Sequence, residues 1–233
     1  MGVTLFRPGA RLVIPGIQVM QTRASAASRW YDDNGNIANC VAAYQAKGVA
    51  SLAASYINLA NPGTYNAAPG VAPTWDATGG WTFNGTTQYL LTGVIPGSTS
   101  WSAIVRFSDV VGLSKPLFGC FESAGNKRFY IYPQDSLTAA FHGNGNGLSV
   151  AGGALTAGVL GFAGLKPYRN GVAETGTIAG GGSVPAIALV IGADNNNGII
   201  SEFMAVKIQA IAFYSATLSA GNMATLSAAM AAL

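Results

Sequence analysis

The chain has 233 residues, half of them apolar and only 9% charged, with 31 glycines and a formal net charge of +3. An average soluble domain has roughly 25% charged residues, so neutral polar residues or contacts with other subunits must cover this surface. The weak net charge argues against a protein that binds nucleic acid through overall charge, and no apolar stretch reaches the roughly 20 residues of a membrane-spanning helix.

The N-terminal segment is basic and irregular. Residues 1–31 contain no acidic residue, and two Pro-Gly turns flank a short β-like run at residues 11–14, which is typical of an extended arm. Its arginines either anchor the arm to a neighbouring subunit or contact nucleic acid, and the lack of a dense basic cluster favours the subunit. The anchoring residues are Arg7, Arg11, Arg23 and Arg29. We expect residues 1–40 to form this arm and residues 41–233 to form one domain.

The N-terminus and the cysteines both indicate the compartment of synthesis. A signal peptide needs a basic start followed by a continuous apolar block, whereas prolines and arginines interrupt residues 1–20. We therefore expect synthesis in a host cytoplasm without a signal peptide. Cys40 and Cys120 have the spacing of neither a metal site nor a disulfide framework, and we expect two buried free thiols.

The first part of the domain gives a mixed signal. Residues 42–52 are rich in alanine and are open between helix and strand. The alternation of residues 55–59 before Asn61-Pro62-Gly63 predicts a strand that ends at a turn.

From residue 73 onward, ten short β-rich runs alternate with glycine and asparagine turns at the spacing of a β-sandwich. Residues 101–108 alternate apolar and polar side chains, which predicts one buried face. Asn170-Gly171 predicts a tight hairpin, because both central positions of that turn need positive φ. The ten runs are residues 81–83, 88–92, 101–108, 116–122, 128–132, 137–142, 158–163, 166–169, 186–192 and 202–214.

The C-terminal segment changes to a helical period. Met223, Leu226, Met230 and Leu233 recur at helical spacing after Ser219, a residue suited to a helix N-cap. The sequence therefore predicts an all-β fold, a two-sheet antiparallel jelly-roll sandwich with an extended N-terminal arm and a short C-terminal helix.

Four segments resemble, in order and spacing, the motifs of concanavalin A-like lectin and glucanase (laminin-G-like) domains. Residues 80–90 resemble the opening F-N-G-x-x-x-Y-L strand pair, and residues 101–107 resemble the following W-T-I-x-x-W-F strand. Residues 167–172 are similar to the x-Y-x-N-G hairpin, and residues 207–219 to the closing strand and helix start, with Val206 where the family often has glycine. The resemblance covers residues 75–233. The low charge and the Ala/Gly-rich style are similar to those of structural proteins encoded by tailed phages and prophages.

Glucanases of that family carry alternating carboxylates on one strand, so that acid and nucleophile share a face. In this sequence every acidic residue is isolated except Asp32-Asp33, whose side chains would point apart on a strand. The sequence also has no recognisable partner for a catalytic role of His142, its single histidine. We therefore expect no catalytic residues.

Calcium is the one cofactor that the sequence suggests, because related sandwiches bind it through loop oxygens. Asp194 and Asn196 lie in the oxygen-rich segment 194–198 and are the candidate ligands. The alternative is an ordinary turn rich in Asx residues.

Carbohydrate is the small ligand that the resemblance implies, and it would stack on aromatic rings. The candidate sugar-binding residues are Trp75, Tyr132, His142 and Tyr168, with Tyr65 as a further aromatic. The alternative role of each is packing in the core or against another subunit.

These observations lead to the expectation of a non-catalytic structural protein of a phage virion, as a capsid decoration or a tail component. Its partners would be other virion proteins and copies of itself, its location the virion, and it would not be an enzyme. The alternative is a carbohydrate-binding adhesion module that contacts a cell-surface glycan. An enzyme acting on polysaccharide is a third hypothesis, and it requires a specific acid such as Glu122 or Glu202.

Overall fold

The strands of the folded chain follow its short alternating and apolar segments. A computed structural model describes residues 29–32, 36–136, 139–179 and 181–233. The predicted anchoring residues Arg7, Arg11 and Arg23 and the run 11–14 lie outside the described residues, while Arg29 is exposed. The strands are β1 Cys40–Gln45, β2 Ala68–Val71, β3 Thr74–Asp76, β4 Gly80–Asn84, β5 Tyr89–Leu91, β6 Ser102–Val111, β7 Phe118–Glu122, β8 Lys127–Ser136, β9 Ala139–Gly145, β10 Gly147–Ala151, β11 Gly158–Ala163, β12 Lys166–Arg169, β13 Val172–Ala173, β14 Val190–Ile191, β15 Asp194–Asn196, β16 Ile199–Ser201 and β17 Ala205–Tyr214.

Two helices and one short 3₁₀ turn accompany the strands in the described residues. The 3₁₀ turn is Asn36–Asn39, α1 is the single turn Leu52–Ser55, and α2 is the C-terminal helix Ala220–Ala231. Ser219 caps α2, because its side chain accepts a hydrogen bond from the backbone N–H of Asn222. In the described residues, no helix combines the length and the apolar character needed to cross a membrane.

The strands form two sheets. In the described residues, sheet A has eight strands in the order β13-β12-β11-β6-β17-β4-β3, with β1 also paired to β17. Sheet B has nine, in the order β10-β9-β8-β7-β14-β5-β2, with β15 joined to β7 and β16 joined to β15. The pairs are antiparallel except β15 with β7, which run parallel. The predicted all-β two-sheet sandwich with a C-terminal helix is confirmed.

The core lies between the two sheets and is rich in aromatic rings. Phe129 of sheet B meets Phe162 of sheet A edge to face, with ring centroids 4.9 Å apart. Phe118 and Phe213 make a similar contact at 5.2 Å. Each ring buries a large apolar surface, and the edge-to-face geometry adds further stabilisation, so these pairs hold the two sheets together.

A second apolar layer covers the outer face of sheet A. Met223, Leu226 and Met230 of α2 are fully buried there, which explains their helical spacing. Trp30 and Tyr31, from the predicted arm, pack in the same layer. The hydroxyl of Tyr214 donates to the carbonyl of Tyr31 at 2.8 Å. The outer face of sheet A is therefore occupied by the chain itself.

Most of the local predictions are confirmed. A described strand overlaps each of the ten predicted runs, and Asn170 and Gly171 both have positive φ in the predicted hairpin. Cys40 and Cys120 are buried free thiols. The predicted strand at residues 55–59 is wrong, because the N-cap at Ser51 starts helix α1 and Ser55 turns inward to Trp81. The open segment 42–52 contains part of β1 and of α1.

Candidate functional site

The outer face of sheet B holds two adjoining clefts, of about 200 and 260 Å³, that share Tyr130, Tyr132 and Glu202. Arg128 and Asp194 line the larger one. We call the joint surface of these five residues the tyrosine cleft. It is the candidate functional site because it combines aromatic rings, carboxylates and a guanidinium in one concave place.

Strand β8 supplies three of the five residues by simple alternation. Phe129 and Ile131 are fully buried in the core. Side chains of a strand alternate between its two faces, so Arg128, Tyr130 and Tyr132 project from the outer face. The two tyrosine rings lie 4.6 Å apart at 77° and form an aromatic corner.

Two glycines make room for this corner. Gly119 of β7 and Gly143 of β9 flank Tyr130 in register. A Cβ at Gly143 would lie 2.8 Å from atoms of Tyr130 and Arg128, and one at Gly119 would lie 2.7 Å from Oδ1 of Asp194. The neighbouring strands thus lack side chains where the ring and the carboxylate rest on the sheet.

The hairpin of β15 and β16 brings the two acids to the cleft. Its turn is Asn197-Gly198, with φ of 50° and 89°, the left-handed pair that a tight hairpin requires. The Asn195 side chain accepts from the N–H of Gly198 at 2.9 Å and donates to the carbonyl of Ala188. Asp194 pairs across the hairpin with Ser201, which precedes Glu202. A chain reversal at Gly192 explains why β15 runs parallel to β7.

Glu202 has a left-handed backbone conformation and a hydrogen-bond partner in Tyr132. Its φ is 53°, in the left-handed region that costs a non-glycine residue about 1 kcal/mol or more. Its Oε2 accepts a hydrogen bond of 2.5 Å from the hydroxyl of Tyr132. Burial, and then this bond, raise the pKa of Tyr132 well above its usual value. The phenol therefore stays protonated and acts as a donor.

Asp194 is a buried acid. It is only 3% exposed, and its Oδ1 has no hydrogen-bond partner among the described residues. Burial and, after it, the nearby Glu202 raise the pKa of Asp194 to about 7, against the opposing effect of the Asn195 backbone N–H. Near neutral pH this carboxyl group is therefore divided between its protonated and ionised forms.

Arg128 is the cation that lines the cleft. Its guanidinium lies 5.7 Å from the ring centroid of Phe121 and 5.9 Å from that of Tyr130. It also donates to the carbonyl of Asn126 at 3.2 Å. Both ring faces attract the cation, so the guanidinium is held against the sheet.

Some of the predicted site residues meet here and others do not. Tyr132, Asp194 and Asn196 line the larger cleft. Trp75 is half-buried on β3 of sheet A and donates to the carbonyl of Ala46, and Tyr168 is buried beneath α2. His142 is fully buried on the core side of β9, where its pKa falls to about 3, mainly through burial.

The remaining candidates lie elsewhere. Tyr65 is 43% exposed and does not line the cleft. Among the described residues, no group of three or more His, Cys, Asp or Glu is arranged to hold a metal ion. Calcium at Asp194 and Asn196 stays a prediction of the sequence.

Sequence reasoning missed Arg128 and Tyr130 as site residues and named Glu202 only as an acid that the enzyme hypothesis would require. The alternation in residues 128–132 was the available signal, because it places Arg128 and Tyr130 on the same face as Tyr132. No pattern in the sequence indicates that Glu202 meets that strand. Their encounter depends on the order of strands in sheet B.

No protein-family model matches the chain, and no curated protein matches it by sequence. Solved structures match it by fold. A Trypanosoma rangeli sialidase mutant that displays trans-sialidase activity gives a TM-score of 0.56 at 17% identity, over 83% of this chain and 33% of the sialidase. The T. rangeli sialidase in complex with 2,3-difluoro-KDN gives 0.56 at 16% identity, over 81% and 32%. The same sialidase in complex with sialic acid gives 0.55 at 18% identity, over 81% and 32%.

These likenesses show the fold alone, since all three identities are below a fifth. The chain spans about a third of the length of those sialidases. At the level of a jelly-roll-like sandwich, the match agrees with the resemblance found in the sequence.

Two expectations are corrected by this comparison. The prediction of a non-catalytic phage virion component and the prediction that the chain is not an enzyme are both wrong, because the structures that share its fold are sialidases, which are enzymes. The sequence analysis considered only carboxylates on one strand, whereas Asp194 and Glu202 are brought to the same cleft by a hairpin.

Proposed function

We propose that this chain is a concanavalin A-like carbohydrate-binding domain whose ligand lies in the tyrosine cleft. The observation that carries the proposal is the aromatic corner of Tyr130 and Tyr132, fixed beside the carboxyl groups of Glu202 and Asp194 in one cleft. Sugar rings present apolar C–H faces that pack on aromatic rings, and hydroxyl groups that donate to carboxylates. The cleft offers both kinds of contact side by side.

The aromatic side chains of the cleft are already held in place before a ligand binds. Tyr130 is held between two glycine positions, and Tyr132 is tied to Glu202. Side chains that are already ordered lose little conformational entropy on binding, which favours affinity. The two adjoining clefts, of about 200 and 260 Å³, are each somewhat smaller than the roughly 300 Å³ at which typical ligand pockets begin, which favours a small ligand.

The test is a glycan array with the full chain, followed by titration calorimetry with the strongest ligand. Tyr130→Ala removes one wall of the aromatic corner, and we expect an affinity loss of about tenfold or more. Tyr65→Ala is the matched control, because Tyr65 is an exposed tyrosine outside the cleft. Circular dichroism shows whether each variant is folded. Absence of any bound glycan, or equal affinity of the folded Tyr130→Ala variant, would refute the proposal.

Glycoside hydrolysis is a second candidate function, favoured by one specific observation. The pKa of Asp194 is raised to about 7, and Glu202 lines the same cleft. Glycosidases use two carboxyl groups, of which one stays protonated to act as the acid. Mass spectrometry of the bound glycan after incubation tests this function. Cleavage that is lost in both Asp194→Asn and Glu202→Gln would support it, and an intact glycan would exclude it for that ligand.

A further inference from the structure

The tyrosine cleft and its rim carry a charge opposite to that of the whole chain. The chain has a formal net charge of +3 and nine acidic residues. Three of those nine, Asp135, Asp194 and Glu202, line the two adjoining clefts, whereas Arg128 is the single basic residue that lines them among the described residues. A surface with this excess of carboxylates repels anions and attracts cations.

The single cation is poorly placed to receive an acidic ligand. Arg128 lines the larger cleft, but two of its guanidinium nitrogens already have an acceptor. Its guanidinium lies against the rings of Phe121 and Tyr130 and donates from Nε and Nη2 to the carbonyl of Asn126. A bidentate grip on a ligand carboxylate would need donors that are free and face the cleft. The guanidinium of Arg128 therefore mainly packs against the aromatic rings at the floor of the cleft.

The acids, by contrast, have acceptor capacity to spare. Asp194 lines the larger cleft, and its Oδ1, which lies over Gly119, is buried without a partner among the described residues. Glu202 is exposed and accepts the Tyr132 hydroxyl at Oε2. Asp135 lies at the rim, where its carboxylate is 3.2 Å from the hydroxyl of Ser114. The unmet requirement of the cleft is therefore for donors, and charged donors satisfy it best.

We propose that the cleft selects sugars with a free ammonium group, such as oligosaccharides of glucosamine, over N-acetylated and acidic sugars. This inference rests on the proposed sugar-binding function and names its ligand class. An ammonium group has three donors and no acceptor, and it is attracted to carboxylates and to tyrosine ring faces. An N-acetyl group replaces that charge with a neutral amide. The carboxylate of an acidic sugar faces Glu202 and Asp135 and is repelled.

The test compares three probes by titration calorimetry with the full chain at low ionic strength. They are the glucosamine trimer, the N-acetylglucosamine trimer and sialyllactose. We expect the glucosamine trimer to bind about tenfold more tightly than its N-acetylated form, the gain from one charged hydrogen bond. Sialyllactose should bind most weakly. Added salt should reduce the preference, because it screens the carboxylates.

Variants assign the preference to the cleft. Glu202→Gln and Asp194→Asn keep the shape and remove a carboxyl group each, and either should lower the preference for glucosamine severalfold. Asp109→Asn is the matched control, because Asp109 is an acid with φ of 55° that pairs with Lys207 on sheet A. Thermal unfolding shows that each variant is folded. The control should keep the full preference.

The outcomes separate this inference from the function on which it rests. If the N-acetylated trimer or sialyllactose binds as tightly as the glucosamine trimer, the ammonium preference is wrong and sugar binding stands. The ammonium preference is also wrong if folded Glu202→Gln and Asp194→Asn both retain it in full. If no sugar binds the folded chain, both proposals are wrong.

Discussion

The hydroxyl of Tyr132 donates a hydrogen bond of 2.5 Å to Oε2 of Glu202, a residue 70 positions later in the chain. Tyr132 lies on β8, and Glu202 follows β16 at the end of the hairpin that joins β7. The bond ties the aromatic corner to the acidic hairpin. The folded chain thereby joins two segments into one candidate site.

The left-handed backbone of Glu202 predicts that glycine at this position gives a more stable protein than alanine. Glu202→Gly and Glu202→Ala both remove the carboxylate and its bond to Tyr132, but only alanine keeps the steric cost of φ at 53°. We expect the glycine variant to have a free energy of unfolding about 1 kcal/mol higher than the alanine variant. Urea denaturation measures the difference. Equal stability would show that residue 202 leaves the left-handed region.

Gly143 lies beside Tyr130, and we predict that a side chain at this position weakens sugar binding while the protein stays folded. A Cβ at Gly143 would lie 2.8 Å from Tyr130 and Arg128, so Gly143→Ala should displace both side chains. We expect sugar affinity to fall by about tenfold, as contacts to the ring are lost. Gly181→Ala is the control, since a Cβ there meets no atom within 4 Å. Titration calorimetry measures the sugar affinity of both variants, and equal affinities would contradict the prediction.

Two buried groups predict opposite dependences of stability on pH. The pKa of Asp194 is raised from 3.8 to about 7, so the folded state binds more protons and the free energy of unfolding falls as pH rises through that window. The pKa of His142 is lowered from 6.5 to about 3, so the unfolded state binds more protons and the free energy rises from pH 3 to 6.5. The two effects, at most about 4 kcal/mol for Asp194 and about 5 kcal/mol for His142, partly cancel in their common range.

Asp194→Asn separates these two effects. It removes the falling contribution, so we expect the free energy of unfolding to rise more steeply between pH 4 and 6.5 than in the unchanged chain. Urea titrations at several pH values measure both slopes. Identical slopes would mean that Asp194 has an ordinary pKa in the folded state.

The buried histidine predicts a stabilising substitution. His142 is fully buried, and neither ring nitrogen has a hydrogen-bond partner among the described residues. His142→Leu removes these two unsatisfied groups, and we expect the free energy of unfolding at neutral pH to rise by about 1 kcal/mol. His142→Gln, which stays polar, should bring no gain. Sugar affinity should be unchanged in both, since His142 does not line the cleft.

The sequence by itself determined the ten predicted β-rich runs, the Asn170-Gly171 hairpin and the C-terminal helix, because local spacing and turn chemistry specify these elements. It left β1 open between helix and strand, and it did not reveal the short strands β2, β3, β10, β15 and β16. The polar residues of β15 and β16 resemble a loop. Tertiary structure alone decided which side chains meet. Glu202 reaches Tyr132 because β15 pairs with β7 and β7 with β8, and such pairing depends on contacts between distant segments that no local pattern records.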